Sequence, residues 1–206
     1  MSVVRAHVGE PKFNNKNQMY NVIHHNISVC NIKPTEQGWM WPVHDNCIIH
    51  FSETVPTYFD VYKKHMGKGK VAIQAGGHFG MHPRVLAELF ETVYTFEPDS
   101  YSFHCLVNNC QVDNIKKFNA VLGDTHGLMY QKYDGQHNRG VNFYGLPVEG
   151  ETPITKVRDN GDVDKNALVN IPQMCIDDLN LSSCDLIHLD VENSEEQVIK
   201  GAIKTL

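Results

Sequence analysis

The central part of the chain alternates short apolar runs with segments whose apolar residues recur at helical spacing. Four apolar runs predict strands, at residues 70–75, 93–96, 118–122 and 186–189. Three periodic segments predict helices, at residues 83–90, 101–110 and 194–204. Alternating strands and helices form parallel sheets with right-handed crossovers. The pattern therefore predicts an α/β fold built on a doubly wound sheet.

The N-terminal part, residues 1–66, has a different pattern. Residues 1–19 are polar and lack periodicity, which is typical of an extended arm. Short β-rich segments follow at residues 20–23 and 47–51, separated by turn residues around Pro34 and Pro42, and predict a small β-rich cap. A helix-start signal at Ser52 and apolar residues at helical spacing up to Met66 predict a lead-in helix. The principal domain is then expected at residues 67–206.

An insertion at residues 125–181 interrupts the alternation. Segments 127–133 and 141–148 predict a hairpin, and residues 151–166, which are rich in Gly, Asp, Asn and Pro, predict a loop. Loops at the open end of such a sheet commonly build substrate pockets. The candidates for substrate contact in this hairpin are Asn138, Arg139 and Gly140. The Arg139 guanidinium suits a carboxylate or phosphate, and a solvated loop charge is the alternative.

Composition narrows the class of protein. The chain has 206 residues, of which 41% are hydrophobic and 20% charged, as in a globular domain. Its net charge of -6 and its scattered Lys and Arg residues argue against nucleic-acid binding. The sequence has neither an apolar run long enough to span a membrane nor the features of a signal peptide, so we expect a cytoplasmic protein.

The cysteines and histidines do not follow a metal-binding spacing. Six cysteines include no Cys-x-x-Cys pair, and twelve histidines include no His-Glu-x-x-His motif. Such cysteines are typical of reduced, partly buried residues. The sequence therefore predicts no metal ion.

The ends of the first two predicted strands carry the residues that suggest a ligand. Residues 76–80, Gly-Gly-His-Phe-Gly, lie between a strand and a helix, where glycines permit a sharp turn and close approach of a ligand to the backbone. The next strand ends at Glu97, whose carboxylate can accept both hydroxyls of a ribose. The turn lacks the Gly-x-Gly-x-x-Gly spacing, which makes a nicotinamide-dependent oxidoreductase the weaker alternative.

Four blocks of sequence together resemble the FkbM-type family of S-adenosylmethionine-dependent methyltransferases. They cover about residues 68–206 and read Val-Ala-Ile-Gln-Ala-Gly-Gly-His-Phe-Gly, Tyr-Thr-Phe-Glu-Pro-Asp, Asn-Ala-Val-Leu-Gly-Asp and Asp-Leu-Ile-His-Leu-Asp-Val-Glu-Asn-Ser-Glu. The resemblance implies a Rossmann-like sheet of the class I methyltransferase type and S-adenosyl-L-methionine as cofactor. Three positions depart from the family pattern: Gln74 replaces a usual Asp, His78 a usual Asn and Asn193 a usual Gly.

The resemblance also implies roles for the matching positions. The residues expected around the methionine end of the cofactor are Gln74, Ala75, Gly76, Gly77, His78, Phe79 and Gly80. Those expected around the ribose are Glu97, Pro98 and Asp99. Those expected to line the adenine are Asn119, Ala120, Val121, Gly123 and Asp124. Asp190 is expected beside the methyl group.

An acceptor hydroxyl needs a base to take its proton as the methyl group is transferred. The candidates for this catalytic base are Asp190, Glu192 and His188. The alternatives are that Asp190 only orients the cofactor and that His188 is a core histidine. Trp39 and Trp41 are expected to anchor the cap to the core, with an aromatic lid over the pocket as the alternative.

The expected activity is O-methylation of a hydroxyl on a small molecule or glycan. The alternative is a non-catalytic cofactor-binding or partner-regulating module of the same fold, because Gln74 brings no charge to the cofactor. Family members usually continue through further strands that complete the sheet, whereas this sequence ends at Leu206. A homo-oligomer that covers the open sheet edge is therefore a further expectation.

Overall fold

The computed structural model describes most of the chain beyond its N-terminal part. The described residues are 32–36, 38–43, 45, 48–65, 67–131, 144–146, 155–157, 163–168 and 170–206, with the backbone alone at 48–56, 155–157, 163–168 and 170. The predicted arm at residues 1–19 lies outside these ranges, as do the substrate candidates Asn138, Arg139 and Gly140.

Twelve strands and four α-helices are assigned in the described ranges. The strands are β1 (Ile32–Pro34), β2 (Met40–Pro42), β3 (Gly69–Ala75), β4 (Phe90–Phe96), β5 (Ile115–Phe118), β6 (Val121–Leu122), β7 (Gly127–Gln131), β8 (Tyr144–Gly145), β9 (Thr155–Val157), β10 (Val163–Leu168), β11 (Asn170–Met174) and β12 (Leu186–Leu189). The helices are α1 (Ile48–His65), α2 (Met81–Leu86), α3 (Ser100–Asn109) and α4 (Glu195–Lys200), with a 3-10 helix at Ile176–Leu179. None of these described helices has the length and apolar character needed to cross a membrane.

A parallel sheet of four strands, in the order β12-β3-β4-β5, carries the fold. Its register places Gln74 beside His188 on one side and Thr95 on the other. Helix α2 connects β3 to β4, and α3 connects β4 to β5. The predicted α/β fold with parallel strands is confirmed.

Successive side chains of a strand point to opposite faces of the sheet, and each face packs against its own core. Ala72 and Val93 belong to a core shared with Leu86 and Leu106 of α2 and α3. Ile73 and Phe96 belong to a second core, whose other members include Val198, Leu122 and Met174 from α4, β6 and β11. Parallel sheets covered on both faces favour continuous apolar strands, which is why the strands were recognisable from sequence.

The inserted segment forms a second sheet in the order β6-β11-β7-β8. Strand β11 is parallel to β6 and antiparallel to β7, and β7 pairs with β8 through Tyr130 and Gly145. The pairing of β7 with β8 confirms the predicted hairpin. The predicted loop at residues 151–166 is wrong, because β9 and β10 pair there as an antiparallel hairpin. The intervening Asn160-Gly161 pair is a hairpin signal in the sequence.

Three further boundaries differ from the predictions. The segment 47–51 is not a strand, since α1 begins at Ile48, and a short apolar run cannot by itself distinguish the two structures. The predicted helix at 83–90 ends at Leu86, and Phe90 instead begins β4 in the core. The predicted strand at 118–122 is divided between two sheets, because β5 ends at Phe118 and β6 begins at Val121.

An antiparallel hairpin of β1 and β2 lies in the region of the predicted cap, although neither strand is one of the predicted segments. Residues 20–23 lie outside the described ranges. Trp41 is only 3% exposed and packs edge-on against Phe79, with their ring centroids 4.1 Å apart. The Trp39 ring lies under the Arg84 guanidinium at 4.8 Å. These contacts agree with the expected role of the two tryptophans as anchors of the cap.

Candidate functional site

The Gly-rich turn after β3 is shaped by backbone conformations that disfavour side chains. Gly76 and Gly80 have φ values of 80° and 95°, in the left-handed region. The N–H groups of Gly76 and Gly77 both donate to the Phe96 carbonyl, at 3.0 and 2.9 Å. A Cβ atom on Gly76 would lie 2.0 Å from the Asp190 carbonyl oxygen. The absence of a side chain therefore lets the ends of β3, β4 and β12 meet.

Glu97 fixes this turn to the end of β4. Its side chain is 6% exposed, and its two carboxylate oxygens accept the backbone N–H groups of His78 at 2.6 Å and Asp99 at 2.7 Å. The Asn119 amide donates to the carbonyls of Glu97 and Pro98, at 2.8 and 3.0 Å. A carboxylate oxygen can accept more than one hydrogen bond, so this arrangement is compatible with ribose hydroxyls as additional donors.

Gln74 braces the same turn from inside the sheet. Its amide nitrogen donates to the carbonyls of Gly76 at 2.8 Å and Ala75 at 3.1 Å, and its oxygen accepts the Thr95 hydroxyl at 2.6 Å. An Asp in this place would have no N–H to donate, so the departure from the family pattern supplies two hydrogen bonds to the turn. The expected position of Gln74 beside the methionine end of the cofactor stays a prediction.

Other residues of the first two blocks support the turn with inward-facing side chains. Phe79 is completely buried, and the His78 ring lies 3.7 Å from it. Asp99 caps α3, because its carboxylate accepts both the N–H and the hydroxyl of Ser102. A Cβ atom on Gly80 would meet the Cys110 sulfur at 2.6 Å. These positions give the turn its shape.

The residues expected around the adenine separate after β5. Asn119 lies beside Glu97, as described above, whereas Ala120 is buried in the core and Val121 pairs with Gln173 in the second sheet. Gly123 donates its N–H to the Met174 carbonyl, and a Cβ atom on Gly201 would meet the backbone of Gly123 and Asp124. The described contacts of Gly123 and Asp124 thus lie in the second sheet and at the end of α4. Of the residues expected around the adenine, Asn119 is the one whose described contacts are with Glu97.

A group of four aromatic side chains, the ring cluster (Tyr58, Tyr62, His82 and His188), lies beside Asp190. The centroid distances are 5.0 Å for His82–His188, 5.9 Å for Tyr62–His188 and 5.4 Å for Tyr58–His82. These side chains come from α1, from α2 and from β12. Asp190 follows β12 directly, on the same face of the strand as His188.

Burial and nearby charges control the protonation of the ring cluster. Burial, with the charges of Tyr58 and Asp190, raises the pKa of Tyr62 to about 12. Burial, with His188, lowers the pKa of His82 to about 4. Burial also lowers the pKa of His188, and Asp190 opposes this effect. Both histidines are therefore neutral at neutral pH, and the buried His188 Nδ1 has no hydrogen-bond partner among the described residues.

The segment after Asp190 adds further carboxylates in an unusual backbone conformation. Glu192 and Asn193 are consecutive residues in the left-handed region, with φ values of 49° and 69°. Asn tolerates this conformation better than most residues, which explains how it can occupy a position where the family usually has Gly. Burial, with the charges of Asp190 and Glu195, raises the pKa of Glu192. The side of the turn that carries Asp190 is thus acidic.

Four supporting residues were not singled out from the sequence: Thr95, Asn109, Tyr62 and His82. Asn109 accepts the Met40 N–H at 2.7 Å and donates to the carbonyls of Met40 at 3.0 Å and Phe79 at 2.7 Å. It therefore connects the cap hairpin, α3 and the Gly-rich turn. Two signals were available, because Tyr58 and Tyr62 share a helix face and His82 directly follows the turn.

Comparisons with known proteins agree with the sequence blocks. Residues 74–206 match the methyltransferase FkbM domain. No curated protein matches the chain. Solved structures that match include the precorrin 8W decarboxylase of Methanobacterium thermoautotrophicum, at 21% identity and a TM-score of 0.27 over 30% of this chain and 36% of that one. They also include a Pyrococcus horikoshii protein provisionally classed as an RNA methyltransferase, at 18% identity and a TM-score of 0.28 over 50% of each chain.

This chain accordingly spans between about a third and a half of the length of those two structures. The domain match, by contrast, extends from the Gln74 brace to Leu206, well over half of the sequence. It includes the Gly-rich turn, Glu97, Asn119 and Asp190. The chain belongs to the FkbM family of methyltransferases.

Proposed function

We propose that the chain binds S-adenosyl-L-methionine at the Gly-rich turn and transfers its methyl group to a hydroxyl on a small molecule or glycan. The observation that carries the proposal is the buried Glu97 carboxylate, which holds the turn through the His78 N–H while lying at the end of the neighbouring strand. A carboxylate held at this position can accept hydrogen bonds from the two hydroxyls of a ribose. The family membership supports this cofactor.

The strand arrangement supports a Rossmann-like fold of the class I methyltransferase type. The order β12-β3-β4-β5 places the first strand of the domain, β3, at the centre of the sheet, with the chain crossing from β5 to β12. Open α/β sheets bind ligands where the strand order reverses, outside the carboxyl ends of the strands. Gly76 lies at this position, between the ends of β4 and β12.

The fit of the cofactor rests on the preformed Gly-rich turn. The N–H groups of Gly76 and Gly77 are already bonded to the Phe96 carbonyl, so the turn is formed before a ligand arrives. Gly76, Gly77 and Glu97 would hold the cofactor, with Asn119 beside the nucleoside. When bound, the cofactor supplies an electrophilic methyl group on a positively charged sulfur.

The acceptor would lie on the Asp190 side of the turn. Transfer forms an O–CH3 bond as the S–CH3 bond breaks, and the hydroxyl proton must pass to a base. Asp190 is exposed at the end of β12, so its carboxylate is accessible to an acceptor. Glu192 and the neutral His188 are the other candidates. The ring cluster covers one side of Asp190, and reduced contact with water favours a reaction in which opposite charges are neutralised.

A non-catalytic cofactor-binding module is the second candidate. It is favoured by Gln74, whose side chain carries no charge and is bonded within the protein at both ends. In this case the turn would hold the cofactor without an anionic partner for its ammonium group. The two candidates predict the same ligand and differ in turnover.

Calorimetry and a turnover assay separate the two candidates. The intact chain should bind S-adenosylhomocysteine, and a thermal-shift comparison should show no equivalent effect of NAD. A panel of hydroxylated small molecules and glycans should yield a methylated product by mass spectrometry. Asp190→Asn should reduce turnover by about 100-fold or more while S-adenosylhomocysteine still binds.

The matched control is Glu88→Gln, an exposed carboxylate beyond α2 and before β4, which should retain full turnover. Absence of S-adenosylhomocysteine uptake by folded protein would contradict the cofactor assignment. Uptake without methylation of any acceptor would favour the binding module.

A further inference from the structure

Three potential metal ligands meet away from the Gly-rich turn, where the second sheet joins the 3-10 helix. The ligand atoms of His126, Cys175 and Asp178 all lie within 4.8 Å of one another. His126 Nε2 is 2.8 Å from Asp178 Oδ2. His126 directly precedes β7, whereas Cys175 and Asp178 belong to the start of the 3-10 helix after β11. The fold therefore joins two segments that are about fifty residues apart in the sequence.

The backbone of Cys175 holds the Asp178 carboxylate in place. The Cys175 N–H donates to Asp178 Oδ2 at 2.8 Å, and the Asp178 N–H donates to the Cys175 carbonyl at 3.2 Å. The carboxylate ligand atom and the backbone that carries the sulfur are thus fixed before any ion binds.

The surroundings of the sulfur are negatively charged. The carboxylates of Asp178, Asp124 and Asp177 act on the Cys175 sulfur. A divalent cation would be attracted to these negative charges, and it deprotonates a coordinating thiol outright.

We propose that His126, Cys175 and Asp178 bind a Zn²⁺ ion. Thiolate, imidazole and carboxylate are the ligands that zinc accepts, whereas Mg²⁺ and Ca²⁺ prefer oxygen alone. Zinc bonds of about 2.0–2.3 Å place tetrahedral ligand atoms about 3.3–3.8 Å apart, so side-chain shifts of about 1 Å would suffice. His126 is 67% exposed, which leaves a side open for water as the fourth ligand.

The ion would link the two ends of the inserted segment. The segment leaves the domain after β6 and returns through β11, and these two strands pair in parallel. A metal bridge between the loop before β7 and the 3-10 helix would hold both ends together. This site could not be predicted from the sequence, because its ligands do not follow the short spacings of known metal motifs.

Cobalt spectroscopy tests the proposal on the intact, chelator-treated and reduced chain. Co²⁺ bound by a thiolate has a sulfur-to-metal charge-transfer absorption in the near ultraviolet, which histidine ligands do not produce. We expect one Co²⁺ per chain with this absorption, displaced by Zn²⁺. Cys175→Ser should abolish the absorption, and His126→Ala should weaken binding by at least about tenfold.

The matched controls are Cys184→Ser and His65→Ala, which alter a half-buried cysteine and an exposed histidine elsewhere in the domain and should leave the absorption unchanged. His126 is exposed, so its replacement should not prevent folding, and far-ultraviolet circular dichroism checks every variant. Co²⁺ uptake without the absorption, or an absorption that survives Cys175→Ser, would overturn the proposal. Neither result depends on methyl transfer.

Discussion

Gly76 is the position at which a single methyl group should perturb the site most. Its φ of 80° costs about 1–2 kcal/mol for a residue with a Cβ atom. An added Cβ would also lie 2.0 Å from the Asp190 carbonyl oxygen, whereas ordinary contacts begin at 3.4 Å. The end of β12 must therefore move by more than 1 Å, and overpacking of this kind adds about 1–3 kcal/mol. Gly76→Ala should thus lower the free energy of unfolding by about 2–5 kcal/mol.

Gly38→Ala is a matched control, because Gly38 has the same φ of 80° and no atom of the described residues lies within 4 Å of an added Cβ. It should incur the conformational cost of about 1–2 kcal/mol alone. The effect of alanine on the unfolded chain is the same in both variants and cancels in their difference. Urea unfolding followed by circular dichroism measures both, and calorimetry with S-adenosylhomocysteine should show weakened binding for Gly76→Ala. Equal unfolding free energies for the two variants would refute the argument from close approach.

Two further substitutions test the charges at the site. Glu97→Gln leaves one buried backbone N–H without an acceptor, so it should lower the free energy of unfolding by about 1–3 kcal/mol and reduce the affinity for S-adenosylhomocysteine. The control Glu91→Gln, on the exposed side of β4, should do neither. Equal calorimetric titrations of the two variants would contradict this prediction. Burial lowers the pKa of His82 to about 4 in the folded chain, against 6.5 for an unperturbed histidine. The unfolded chain therefore binds more protons between these values, and stability should fall by about 2 kcal/mol from pH 7 to pH 5. Urea unfolding should show a smaller pH dependence for His82→Gln but not for His65→Gln.

The sequence was sufficient to predict the parallel sheet because its strands are buried on both faces and are therefore almost continuously apolar. The sequence was insufficient where the chain passes from one sheet to another within a single apolar run. Residues 118–122 form one such run, yet the chain leaves the first sheet after Phe118 and enters the second at Val121. The run at 47–51 failed for another reason, since short apolar segments fit either a helix or a strand until their packing is known.

The candidate site was predictable as far as it depends on local features. The Gly-rich turn and Glu97 carry their signals within a few residues of a strand end. The bracing of Gln74 by Thr95 depends on strand register, and the contacts of Asn109 with Met40 join residues 69 positions apart. Periodicity does not encode such pairings. The meeting of His126 with Asp178 is of the same kind.

The three hydrogen bonds of Asn109 couple the opening of the cap hairpin to that of the Gly-rich turn. One amide group satisfies the backbone of Met40 and the carbonyl of Phe79, so neither segment can open without leaving the other with unmade bonds. The two segments should therefore exchange their amide hydrogens as one cooperative unit. A ligand seated at the turn would therefore also slow exchange in β2, through the hydrogen bonds of Asn109.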